Sequence, residues 1–308
     1  MTPHWQNLRR RASRLVKSAV NAVAGRTVAL LLAIIHRCDR ATVSNIAGAF
    51  MRTVGPWRRE HEVGRQNLRA AFPDKSAAEI ETILRGVWDN LGRVGAEIAH
   101  LDHICSGDPY KRTYIEYTPD NIARFLQVKD DGKPAVVFAA HLANWELPAV
   151  IAASDGLESV VLYRRPNLGA IADAVIALRG GLMGEMVPSS MLAPGRLVRA
   201  LEAGKHVAML VDQHYGRGVE VTFFGRKCMT NPLIAVLARE IECPIHGTRV
   251  IRLPGNRFRG EISEAVAPVR DATGRIDVRG TMQAITDVVE GWVREHPEQW
   301  LWVHKRWR

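Results

Sequence analysis

The sequence predicts an α/β protein with a mixed, mainly parallel sheet that is flanked by helices and preceded by a helical N-terminal region. From residue 114 onward, short apolar runs alternate with amphipathic segments, the order expected when helices connect parallel strands. Strands are predicted at 135–140, 159–163, 207–211, 220–224, 245–251 and 258–263. Helices are predicted at 144–153, 168–179, 194–203, 232–240 and 279–295. The closely spaced strands in 220–263 favour a mixed sheet over a purely parallel one.

The chain before the first strand is predicted to be helical. Over residues 56–104, apolar side chains recur at helical spacing, and Ser76 stands three residues before Glu79, the spacing of a capping box. We divide the chain into a basic, partly apolar, membrane-associating segment at 1–55 and a single α/β domain at 56–308.

The N-terminal segment combines positive charge with a short apolar run. Its first 40 residues contain eight Lys or Arg and one Asp, and the longest apolar run covers only residues 27–35. A membrane-spanning helix needs about 20 mostly apolar residues. The pattern therefore favours a helix lying on an anionic membrane surface. A helix buried in the catalytic domain remains the alternative.

Composition excludes several classes of protein. The chain of 308 residues is 47% hydrophobic and carries a net charge of +10, which suits a nucleic acid, an anionic bilayer or an acidic protein partner. It has no zinc-finger spacing and no nucleic-acid recognition motif, so nucleic acid is disfavoured. The four cysteines and eleven histidines are scattered without the spacing of a ligand set, so neither a disulfide framework, a metal nor another cofactor is predicted.

His141 and Glu146 are the strongest candidates for catalysis. His141 directly follows the predicted strand at 135–140, and open α/β sheets bind their ligands at the carboxyl ends of strands. Histidine can accept and return a proton near neutral pH. A carboxylate five residues later can fold back onto the imidazole, which predicts that Glu146 orients His141. Chance occurrence of this spacing is the alternative.

Other strand ends add polar groups to the same edge of the sheet. Arg164 and Arg165 follow the second predicted strand, and Asp212 and Gln213 follow the third. A base, a cation and a further carboxylate suit acyl transfer. A solvated arginine pair and an aspartate that only caps a turn are the alternatives, and spacing does not separate Arg164 from Arg165.

These motifs resemble a known family when taken in order. The chain has Arg65 to Pro73 (RQNLRAAFP), His141-x-x-x-x-Glu146, Tyr163-Arg164, Asp212-Gln213 and the C-terminal sequence HPEQWLWVHKRWR. Over residues 60–308 it resembles the late acyltransferases of lipid A biosynthesis, the lauroyl/myristoyl class of the H-x-x-x-x-D/E acyltransferases, which implies a glycerolipid acyltransferase-like fold.

The resemblance implies transfer of a fatty acyl chain from an acyl carrier protein thioester to a hydroxyl of a lipid A precursor. His141 would be the base and Glu146 would hold it, while Arg164 or Arg165 would meet the oxyanion or a phosphate. Asp212 and Gln213 would order the loop or bind polar groups of the substrate. The implied location is the cytoplasmic face of a bacterial inner membrane, peripheral or monotopic, with a short single pass still open. Another glycolipid or glycerolipid acceptor, or a non-catalytic membrane-binding protein with this fold, are the alternatives.

Overall fold

The computed structural model describes residues 23–165 and 170–307. Its strands are β1 (Ile115–Glu116), β2 (Val136–Ala139), β3 (Ser159–Tyr163), β4 (Glu185–Pro188), β5 (His206–Leu210), β6 (Val219–Phe223), β7 (Arg226–Thr230), β8 (Ile245–Leu253) and β9 (Arg257–Ala265). Its helices are α1 (23–37), α2 (Arg40–Val54), α3 (Arg59–Ala71), α4 (Ala77–Glu97), α5 (Leu101–Ile104), α6 (Pro119–Asp130), α7 (Leu147–Ser154), α8 (Ala170–Gly180), α9 (Ala193–Glu202), α10 (Leu233–Ile241) and α11 (Val278–Glu295).

The main sheet has seven strands in the order β1-β9-β8-β2-β5-β3-β4. Its neighbouring strands are parallel except for the antiparallel hairpin of β8 and β9. The predicted mixed, mainly parallel sheet is therefore confirmed. The predicted strand at 220–224 does not join it, because β6 pairs with β7 in a separate two-stranded hairpin. The strands β1, β4 and β7 were not predicted, since none contains a long apolar run.

Successive side chains of the central strands point to opposite faces of the sheet. One set, which includes Val136, Phe138 and Val207, packs in the main core with residues of α9, α10 and α11. The other set, which includes Val137 and Ala208, lines a cavity on the opposite face. The central strands therefore separate the main core on one face of the sheet from the cavity on the other.

The N-terminal helices pack on one another before the sheet begins. Ser76 and Glu79 form the predicted capping box at the start of α4. The helices α2 and α4 approach closely at Gly92, where an added Cβ would lie 2.3 Å from the carbonyl oxygen of Ala47. Among the described residues, no helix is both long and apolar enough to cross a membrane. Leu30 of α1 is 62% exposed, so this helix is not buried in the body of the protein.

Glu97, at the end of α4, joins four parts of the fold. Its carboxylate is fully buried and accepts hydrogen bonds from Arg252 of β8 at 2.5 and 2.9 Å. It also accepts from Ser44 of α2 and from Asn144 in the loop after β2, each at 2.9 Å. Because this loop follows His141, the same carboxylate helps to position the candidate site.

We expect Glu97→Gln to destabilise the protein strongly. The change would leave the guanidinium of Arg252 without its buried counter-charge, which typically costs about 3–5 kcal/mol. Glu264→Gln is the control, because Glu264 pairs with Arg124 but its side chain is 82% exposed, and such surface pairs contribute about 1 kcal/mol or less. Urea unfolding of both variants measures the difference. Equal losses of stability would contradict the role given to Glu97.

Candidate active site

The loop between β2 and α7 carries His141 and has an unusual backbone. Ala143 has a φ of +46°, a left-handed conformation that is uncommon for residues other than glycine. Ala143 is fully buried, its N–H donates to the carbonyl of Gln299 at 2.9 Å, and its own carbonyl accepts from the Asn90 side chain at 3.1 Å. The loop shape is therefore imposed by α4 and by the C-terminal segment.

The C-terminal segment pairs with this loop as an isolated antiparallel bridge. Leu142 is bridged to Trp300, and Leu301 donates its N–H to the carbonyl of His141 at 3.1 Å. The Gln299 side chain in turn accepts from the N–H of Arg252 at 2.8 Å and donates to its carbonyl at 3.1 Å. The histidine motif and the C-terminal motif therefore build one site.

Asn67 connects the N-terminal motif at residues 65–73 to the C-terminal segment. Its side-chain amide donates to the carbonyl oxygens of Trp302 and His304, at 2.8 and 2.9 Å. Asn67 is buried in α3 and thereby holds the C-terminal segment on the helical region.

Asp212 is the carboxylate that contacts His141. It follows β5 by two residues, is 3% exposed, and its Oδ1 lies 2.8 Å from Nδ1 of His141. Its Oδ2 accepts from the backbone N–H of His141 at 2.8 Å and from Nε1 of Trp300 at 2.7 Å. Both carboxylate oxygens therefore form hydrogen bonds, and His141 is held at its backbone and at its ring.

Asp212 is ionised in the folded protein. Burial by itself would raise the pKa of this carboxyl, but attraction to the His141 ring and the hydrogen bonds from His141 hold the pKa below its usual range. An ionised Asp212 can only accept a hydrogen bond, so the neutral imidazole carries its proton on Nδ1 and its lone pair on Nε2. Gln213 lies at that atom, with its Nε2 3.2 Å from Nε2 of His141.

The sequence predicted that Glu146 holds the His141 ring, but no hydrogen bond or ion pair joins these two residues. Its carboxylate is buried and forms an ion pair with Arg179 of α8. The helix α7 begins at Leu147, three residues later than predicted, so Glu146 precedes the helix, where its carboxylate accepts a hydrogen bond from Arg179 of α8. Sequence reasoning missed Arg179 because it lies within a helix and outside every motif.

Arg164 and Arg165 stand where the sequence placed them, after β3. Both are exposed and line the same cavity as His141. Arg165 pairs with Asp173 of α8 at 2.5 Å. Neither arginine is hydrogen-bonded to His141 or to Asp212. Trp300 of the C-terminal motif, in contrast, contacts the site directly. It is 1% exposed and donates a hydrogen bond to Asp212.

The cavity in front of His141 has a volume of about 1040 Å³. The polar side chains that line it include His141, Glu146, Arg179 and Gln213. Its apolar walls come from one face of the sheet and from the helices α6 and α7, and include Ile122, Phe125, Val128, Val137, Ala139, Pro148, Ala149, Ile151 and Val161. The volume is at the upper end of the usual range for ligand pockets, about 300–1,000 Å³. The cavity is large enough for a long apolar group.

The geometry combines a histidine held by a buried carboxylate, a buried ion pair and a largely apolar cavity, next to the carboxyl ends of central strands. No curated protein matches the chain. The family model of the bacterial lipid A biosynthesis acyltransferases matches residues 12–308, nearly the whole length. The chain therefore belongs to the bacterial lipid A biosynthesis acyltransferase family.

Proposed function

We propose that this protein transfers a fatty acyl chain from an acyl carrier protein thioester to a hydroxyl of a lipid A precursor, with His141 as the general base. The observation that carries the proposal is the contact between Nδ1 of His141 and the buried Asp212 carboxylate, at 2.8 Å. It keeps the proton on Nδ1 and the lone pair of Nε2 at the cavity, the arrangement a base–orienter pair requires.

The acceptor hydroxyl takes the position of the Gln213 amide next to Nε2 of His141. Nε2 accepts the hydroxyl proton while the oxygen attacks the thioester carbonyl, so that a C–O bond forms and the carbonyl oxygen becomes an oxyanion. When the oxyanion collapses, the C–S bond breaks and the imidazolium returns its proton to the leaving thiolate. The products are an ester and a free carrier thiol. Asp212 stabilises the imidazolium throughout because it stays ionised.

Arg179 is the cation that we assign to the oxyanion. Its side chain is only 16% exposed, and its pairing with Glu146 fixes it on the wall of the cavity that contains His141. A preorganised charge in a site shielded from water stabilises developing negative charge more than the same charge in water does. Glu146 then acts through Arg179 and not through His141.

Arg164 and Arg165 are exposed at the cavity and suit the other anionic group, a phosphate of the acceptor. A guanidinium binds phosphate through two parallel N–H donors. The apolar chamber between the sheet and the helices α6 and α7 takes the fatty acyl chain.

We propose that the reaction takes place at an anionic membrane surface, on the cytoplasmic face. Two features support binding to such a surface. Exposed apolar side chains are concentrated in the N-terminal helices and the turn after them: Val23, Leu30, Leu31, Ile34, Ile46, Phe50 and Trp57. The first 40 residues are strongly basic. An amphipathic, basic helix binds at the interface by burying its apolar side chains while its cations face anionic lipid headgroups.

We expect Asp212→Asn to lower the turnover number by about 10³–10⁴-fold. The new amide can donate to Nδ1, which moves the proton to Nε2 and removes the base, and such a change costs about 10⁴-fold in an equivalent triad. Trp300→Phe is the matched control: it removes one hydrogen bond to Asp212, keeps an aromatic ring, and is expected to cost about tenfold. The measurement is ester formation on a lipid A precursor, followed by mass spectrometry. A folded Asp212→Asn protein with near-wild-type turnover would refute the assignment of the base.

The donor can be tested with one acyl chain on two carriers. Acyl carrier proteins are acidic, so a protein of net charge +10 should attract them, and the attraction is screened over about 8 Å at physiological ionic strength. We expect KM for the acyl carrier protein thioester to rise with salt, while the same acyl group on coenzyme A is a poor donor at every salt concentration. Equal use of both donors, with a KM that is insensitive to salt, would rule out the proposed partner.

The membrane proposal predicts that a triple variant, Leu30→Ser, Leu31→Ser and Ile34→Ser, loses affinity for vesicles that contain anionic lipid. The control is Met191→Ser with Leu192→Ser, which removes two exposed apolar side chains (99% and 77% exposed) before α9 instead. Co-sedimentation of the full chain with vesicles measures binding. If both variants bind as the unchanged protein does, α1 is not the contact with the membrane.

A further inference from the structure

A second cluster of ionisable side chains lies where α1 meets the short helical segments after α4. His36 lies near the end of α1, His100 ends the 3-10 turn Ile98–His100, and His103 lies in α5. One ring nitrogen from each of the three lies within 4.8 Å of those of the other two. The three histidines form no motif in the sequence, because His36 is more than 60 positions from His100 and His103.

His100 is unsatisfied in this cluster. It is 1% exposed, and within the described part of the chain neither of its ring nitrogens has a hydrogen-bond partner. Burying a polar ring without a partner is unfavourable, and most such groups in proteins are bonded to protein, water or an ion. The three rings form a triangle: the centroid of His100 lies 5.7 and 5.8 Å from those of His36 and His103, which are stacked 4.5 Å apart.

His36 is already oriented as a metal ligand. Its Nδ1 lies 2.6 Å from the carbonyl oxygen of Ala99, which places the proton on Nδ1 and the lone pair on Nε2. Histidine ligands of metals commonly donate their second N–H to a backbone carbonyl in this way. An oxygen of the Asp102 carboxylate lies 3.7 Å from this Nε2, so a possible oxygen donor stands beside one of the three imidazoles.

The arginine beside His100, Arg40, contacts groups outside the histidine cluster. Arg40 is buried close to His100, but its guanidinium lies 4.0 Å from the centre of the Tyr114 ring and donates to the carbonyl of Asn256 at 2.9 Å. The Asp39 carboxylate accepts a hydrogen bond from the N–H of Thr42 at 2.7 Å, and the Asp102 carboxylate lies 3.7 Å from Nε2 of His36. The arrangement thus holds three imidazoles beside a carboxylate, with the arginine engaged by other groups.

We propose that His36, His100 and His103, with Asp102 as a fourth ligand, bind one divalent transition-metal ion of the zinc class. Three imidazoles and a carboxylate oxygen form a donor set that suits Zn²⁺, and also Co²⁺ and Ni²⁺. Tetrahedral coordination at a Zn–N distance of about 2.0–2.1 Å brings nitrogens to about 3.3 Å from one another. Nitrogens within 4.8 Å reach that spacing by small rotations of the side chains.

The ion would fasten α1 to the body of the protein. His36 is on α1, the helix that exposes Leu30 and Ile34, whereas His100 and His103 precede the sheet. The site is built from residues other than His141 and Asp212, so this metal is structural and takes no part in acyl transfer.

The test uses the full chain without any affinity-tag histidines, stripped of metal with a chelator and titrated with Zn²⁺ by calorimetry. We expect one ion per chain. His103→Ala and His36→Ala should each weaken binding by about tenfold or more, at least the effect of losing a supporting group of a metal site. His103 is exposed, so its replacement leaves the core intact. The control is His296→Ala, because His296 also lies beside a carboxylate, 3.9 Å from Glu298, but outside the cluster.

A second readout follows α1 directly. Zn²⁺ should slow hydrogen exchange of the amides in residues 23–37 of the unchanged protein and have no such effect in His103→Ala. Co²⁺ in place of Zn²⁺ reports the ligands by absorption, and Cys38→Ser should leave that spectrum unchanged. Binding that is equally strong in all the histidine variants, binding lost only in Cys38→Ser, or no binding of Zn²⁺ below millimolar concentration would each overturn the proposal.

Discussion

The candidate site depends on a single buried carboxylate, that of Asp212. It accepts hydrogen bonds from the backbone of His141 and the indole of Trp300 and contacts the His141 ring, all within 2.8 Å. Burying a charge is costly unless it is paired and hydrogen-bonded, and these contacts meet that requirement. The same contacts determine which nitrogen of the imidazole is available for proton transfer. Removing the carboxylate would therefore disturb both the chemistry and the junction of β2, β5 and the C-terminal segment.

The loop around His141 is shaped by distant parts of the chain. The positive φ of Ala143 is maintained by hydrogen bonds with Gln299 and Asn90, and the next residue, Asn144, is held by Glu97. Strained backbone of this kind persists where the surroundings over-determine it, and it is common at functional sites. The dependence of the loop on α4 and on the last turn of the chain gives the N-terminal and C-terminal motifs a physical reason to occur together.

Much of the fold followed from local pattern. Long apolar strands and periodic helices are recognisable because their burial is continuous, and the strand-end rule placed His141 and Asp212 on one edge of the sheet. The contact between them was not predictable, since the adjacency of β2 and β5 is a tertiary property. Spacing instead favoured Glu146, whose partner is Arg179 on a helix without any motif. The strand β4 was missed because Val187 is the one buried residue of its four, and β6 was assigned to the wrong sheet because pairing depends on topology.

The family sets the reaction class. For the residues we propose that Asp212 orients His141 as the base and that Glu146 holds Arg179 as a fixed charge. The most direct test is the tautomer of His141, observed by ¹⁵N NMR of the histidine-labelled full chain and assigned by comparison with His141→Gln. We expect the neutral imidazole to carry its proton on Nδ1, and Asp212→Asn to move the proton to Nε2. A neutral imidazole protonated on Nε2 in the unchanged protein would contradict the role proposed for Asp212.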